Sequence, residues 1–156
     1  MKKKYKFKYS ALFIVLFGVI YALALTALIW NGIRLYTAID EKISLGVYDT
    51  ISLVISLILP IILIVIITSA FISSSYTLNE ESLTVNYGLL KETFKIKDIT
   101  TIIKNVKYPA LFISFSGGNG YRIIIDEKEF DDFSATLIKL NEEIAYGETD
   151  EEIKKK

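Results

Sequence analysis

The chain has 156 residues with no cysteine and no histidine, and its 18 basic residues balance 18 acidic ones. That composition excludes a disulfide framework, Cys/His metal sites and the commonest general base; a carboxylate-only enzyme or Asp/Glu metal site survives, and no cofactor is expected. The hydrophobic share of 52% and mean hydropathy of +0.42 are high for a soluble domain.

Residues 1–8 form a basic leader that carries Lys2, Lys3, Lys4, Lys6 and Lys8 and no acid. Tyr9 to Ile33 follows without a charge, and a second uncharged run, Ile51 to Phe71, follows a short polar stretch. About 20 apolar residues cross a hydrocarbon core as a helix, so both runs read as transmembrane helices, 9–33 and 51–73. Ala22-Leu23-Ala24 resembles a signal-peptide cleavage site, but the apolar stretch runs on past it through Trp30, beyond the usual length of a signal core.

The five leader lysines outweigh Arg34 and Lys42 of the intervening loop, residues 34–50, which also holds Asp40, Glu41 and Asp49. This predicts a cytoplasmic amino terminus, an extracytoplasmic loop and a cytoplasmic carboxy-terminal half, as in a multi-pass protein of the cell membrane. Gly18, Ala22 and Thr26 lie four apart, as do Ser52, Ser56 and Pro60. Small residues at that spacing let helices approach closely, within the hairpin or between copies of a homo-oligomer. Pro60 is expected to bend the second helix. No ionisable residue lies inside either span, which argues against a pump or transporter.

From Ser75 the pattern turns to period two. Tyr76 and Leu78, then Leu83, Val85 and Tyr87, then Phe94 and Ile96 predict a three-stranded meander, with turns at Asn79-Glu80-Glu81 and Gly88. The segments 98–106, 111–116 and 121–126 predict further strands, the last two joined by the hairpin tip Gly117-Gly118-Asn119-Gly120. That tip lacks the Gly-Lys-Ser/Thr and the following helix of a phosphate loop. Phe130, Phe133, Leu137, Leu140 and Ile144 step by three and four, which predicts an amphipathic helix that starts at Asp126 and Glu129 and ends at Gly147. The domain is therefore set at 74–146, and 147–156 reads as a charged, disordered tail.

Residues 76–156 hold 11 basic and 15 acidic residues, a net charge of −4, which speaks against a nucleic-acid module. Lys91, Lys95, Lys97, Lys104 and Lys107 are candidate contacts for lipid headgroups or a partner. Lys95 and Lys97 would share a face if they lie on one strand. The acids Asp126, Glu127, Glu129, Asp131 and Asp132 read as helix capping and solvation rather than a metal cluster or carboxylate dyad.

Five or six antiparallel strands closed by a carboxy-terminal helix resemble the pleckstrin-homology-like architecture. The words YTLNEESLTVNYG, FKIKDITTI and DEKEFDDFSATL resemble the YyaB-like bacterial PH domains over residues 74–145, though NVKYPALFISFSGGNG departs from that family's pattern. The resemblance implies a membrane protein: a two-helix transmembrane hairpin followed by a small α+β PH-like domain. The function it implies is a non-catalytic interaction module at the inner face of a bacterial membrane, with the lipid bilayer and a membrane-associated protein as partners. The alternatives are a bacteriocin immunity protein, which shares this architecture, and an accessory subunit of envelope metabolism.

Overall fold

In the computed structural model, residues 2–43, 45–107 and 109–149 are described. The chain divides into two compact units, residues 10–72 and the combination of 1–9 with 73–156.

The first unit is a pair of long apolar helices, α1 (Ala11–Asp40) and α2 (Val47–Ser73). Ser10 caps α1 by accepting the Phe13 amide at 3.4 Å. Both helices are long and apolar enough to cross a membrane. They outrun the sequence expectation: α1 continues through Asp40 and α2 begins at Val47, so the loop expected at 34–50 shrinks to 41–46. Of the expected small-residue seam, Pro60 is buried in the hairpin. Gly18, Ala22, Thr26 and Ser52 are exposed and Ser56 is half-buried, whereas Leu53, Pro60 and Ile67, seven apart, are buried, as is Ala24 on α1. Phe17 meets Phe71 edge to face at 5.7 Å, which pairs the start of α1 with the end of α2. A seven-residue repeat keeps one stripe against a partner helix, and a four-residue repeat drifts off it. Helix α2 is unbroken through Pro60.

Among the described residues, the second unit holds eight strands in two four-stranded sheets and one α-helix. The strands are β1 (Lys3–Lys6), β2 (Ser75–Leu78), β3 (Ser82–Tyr87), β4 (Leu90–Lys95), β5 (Ile99–Asn105), β6 (Ala110–Phe115), β7 (Gly120–Ile123) and β8 (Ala145–Thr149). The first sheet runs β1-β2-β3-β4, all antiparallel, and the second runs β7-β6-β5-β8, with β8 parallel to β5.

Two strands, β1 and β8, go beyond the expectation of five or six. The basic leader is strand β1: Lys4 pairs with Thr77 and Lys6 with Ser75. Its alternate residues Tyr5 and Phe7 point inward, where Tyr5 packs on Phe133 at 5.0 Å and Phe7 stacks on Tyr76 at 4.6 Å. The apolar hairpin is therefore an insertion between the first and second strands of one sheet.

At the other end, helix α3 (Phe130–Leu140) is shorter than its apolar stripe predicts. The end expected at Gly147 falls inside β8, where Gly147 pairs with Ile103. Asn141 adopts an extended conformation instead of continuing the helix. Its carboxamide draws the chain away by donating to the Ile96 and Ile99 carbonyls at 3.2 and 3.4 Å. Ile144 is buried, but from the loop after the helix. The tail expected from 147 is strand through Thr149, and its remainder lies outside the described residues.

The meander is β2 to β4, with Phe94 on β4 as the alternation expects and Ile96 just beyond it in a 3-10 turn. Gly88 adopts φ +63° between β3 and β4, and Gly118 adopts φ +78° at the β6–β7 tip. The core is Tyr76, Leu78, Leu83, Val85, Ile102, Leu111, Ile113 and Ile123 from the sheets, covered by Phe130, Phe133 and Leu137 from α3.

Candidate functional site

The acids at the start of α3 are fasteners as well as caps. Asp126 accepts the Lys128 amide at 3.2 Å, the expected capping role, and also pairs with Lys8 at 2.7 Å. Asp132 receives Lys3 at 2.6 Å and the Tyr5 hydroxyl at 2.7 Å, and Asp131 receives Lys104 at 2.5 Å. Lys3 and then Tyr5 hold the Asp132 carboxyl below the usual carboxylate range, and Lys8 does the same for Asp126. Asp131 in turn raises the Lys104 ammonium, and burial pushes the Tyr5 phenol up to about 12. Each of these three carboxylates thus has its own cation, an arrangement that ties β1 and β5 to α3. Among the described residues, no group of three or more His, Cys, Asp or Glu could hold a metal ion.

The five candidate lysines of the domain do not form one cluster. Lys95 ends β4 while Lys97 lies in a 3-10 turn over Ile96–Asp98, so the two do not share a strand. Lys104 is committed to Asp131, and Lys107 lies exposed beyond the end of β5. Lys91 and Lys95, four apart on β4, share a face.

The register of the first sheet shows what else lies on that face. One row across the strands reads Lys6, Ser75, Asn86, Lys91, and the next reads Lys4, Thr77, Thr84, Thr93. Ser82, beside Lys95, completes it. These ten positions carry four lysines, five hydroxyls and one amide, with no acid and no apolar residue. The lysines stand on the two outer strands and are exposed, whereas Ser75, Thr77 and Thr84 between them are buried. Thr84 and Thr93 approach at 3.5 Å, and Asn86 donates to Ser75 at 3.5 Å. Sequence reasoning misses this face because half of its lysines belong to the leader. The alternation Lys4-Tyr5-Lys6-Phe7-Lys8-Tyr9 is the signal that could have found it.

The outer face of this sheet is thus polar and cationic over these ten positions, and its inner face sends Tyr5, Tyr76, Leu78, Leu83 and Val85 into the core. Residues 74–117 match the model of the bacterial PH domain family. The match runs from β2 through β6 and stops at Gly117 in the β6–β7 tip, so it omits β1, the inserted hairpin before it, β7, α3 and β8. No curated protein and no solved structure matches the chain. The unit that holds this match begins with β1, resumes after the two long apolar helices, and contains two sheets and the helix α3.

Proposed function

We propose that the protein is a membrane-anchored, non-catalytic interaction module that presents its PH-like unit to a membrane-associated protein at the inner face of a bacterial membrane. The observation that carries this reading is the insertion of the apolar hairpin between β1 and β2. Both ends of the hairpin run straight into neighbouring strands of one sheet, with Phe7–Ser10 on one side and Ser74 on the other as the connections. The two ends of a hairpin that crosses twice emerge on one side, as a shared sheet requires. The excess of lysine before α1 supports the cytoplasmic side. Anchoring this close to the bilayer raises the effective concentration of a partner in the same membrane.

Reporter fusions after residues 42 and 150 test the topology. The expected result is an extracytoplasmic reporter at 42 and a cytoplasmic one at 150. Both reporters on one side, or the carboxy-terminal reporter outside, would overturn the reading.

A further inference from the structure

We infer that the lysine-railed outer face of the first sheet receives an acidic segment of the partner protein. This rests on the reading of the domain as a module for a protein at the membrane. The ten positions of the face hold four lysines and no acid, although the unit that carries it, residues 1–9 and 73–156, has 16 basic and 15 acidic residues, so positive charge is concentrated on this surface. Complementary charge steers encounter and fixes register.

The shape of the face selects the occupant. Lys4 and Lys6 on β1 and Lys91 and Lys95 on β4 stand three strand spacings apart, about 14 Å at roughly 4.8 Å per strand. Between these exposed rails lie short side chains, with Ser75, Thr77 and Thr84 buried. A trough of that width accommodates one helix of about 10–12 Å diameter, or one extended strand. A flat bilayer would meet only the tips of the rails, and the face offers no apolar side chain to enter it. The partner sits close to the membrane because the trough does: Ser75 lies two residues after the end of α2, and Lys6 five residues before α1, a reach of at most about 18 Å.

Site-specific photo-cross-linking of the full chain in its native membranes tests this. The photoreactive residue is placed at Thr93, between Lys91 and Lys95, and separately at Tyr146 on β8 as a comparison. The expected product at position 93 is an adduct whose cross-linked peptide has an excess of Asp and Glu. Changing Lys4, Lys6, Lys91 and Lys95 to Gln should lower its yield at least about ten-fold, the loss of roughly 1.4 kcal/mol of binding. These are exposed positions, where substitutions leave folding nearly unchanged. A phospholipid adduct at 93, a peptide without acidic excess, or a yield indifferent to the Gln changes would overturn the inference. Protein adducts at 146 with none at 93 would overturn it while leaving the protein-partner reading intact. No protein adduct at either position would sink both.

Discussion

The two units use the same apolar residue types in opposite ways. In the hairpin, Leu12 is 77% exposed and Trp30 67%, while in the PH-like unit Tyr76, Leu83 and Phe133 are all fully buried. A sheet-and-helix unit in water must place its apolar surface inside, because that surface is what stabilises it. A pair of helices has too few partners to hide all its faces, and its exposed side chains suit a solvent that is itself apolar. The contrast is what the proposed anchoring requires, two solvents along one chain. The leader marks the transition: Tyr5 belongs to the core of the PH-like unit and Phe7 packs against it, although the apolar helix begins only four residues after Phe7.

The change with the greatest expected effect falls on the buried side. Phe133→Ala removes the ring on which Tyr5 and Tyr76 pack and should cost about 3–5 kcal/mol. Thermal unfolding of the purified full chain checks it; a melting temperature equal to wild type would mean that α3 is not docked as described. On the hairpin side the corresponding change is Ile62→Lys, at an exposed position near the middle of α2. In a bilayer it should cost about 2.5–3.5 kcal/mol of insertion and lower the amount recovered in the membrane fraction. In water the same change would be nearly neutral, so unchanged membrane recovery would refute the two-solvent account.

Subtler substitutions probe the leader, where the two regions join. Tyr5→Phe keeps the ring in the core and removes the hydroxyl bond to Asp132, an expected loss of about 1 kcal/mol by denaturant titration. The pH dependence of Asp132 is a finer test. Its folded pKa is depressed by Lys3 and Tyr5, so it contributes stability above its unfolded value, about 3.9, that is lost as pH falls through the lower folded value. Asp132→Asn should therefore be less stable than wild type at neutral pH and converge with it in acid. A constant difference across that range would show that the carboxylate's charge plays no part.

Much of the PH-like unit is legible from residue order alone. Period-two alternation marks β2, β3 and β4, and glycines mark the turns that need positive φ at Gly88 and Gly118, because these signals are local. The helical stripe overreaches. The spacing from Leu140 to Ile144 fits a helix, but Asn141 exchanges that continuation for bonds to the Ile96 and Ile99 carbonyls, which are 40 or more residues away in sequence. Lysines at 2, 3, 4, 6 and 8 read as a topogenic leader because charge dominates the pattern. The role of Tyr5 and Phe7 between them depends on strand β2, nearly 70 residues later.

Run length and hydrophobic period, which are properties of neighbouring residues, were enough to specify the two apolar helices and the meander. Long-range pairing supplied the rest. It made the leader the first strand, gave Asp126, Asp131 and Asp132 each a distant lysine, and joined Lys4 and Lys6 to Lys91 and Lys95 on one face. Strand pairing sets those neighbours through backbone hydrogen bonds between segments far apart in the chain, and no local pattern encodes which strand a given edge will meet.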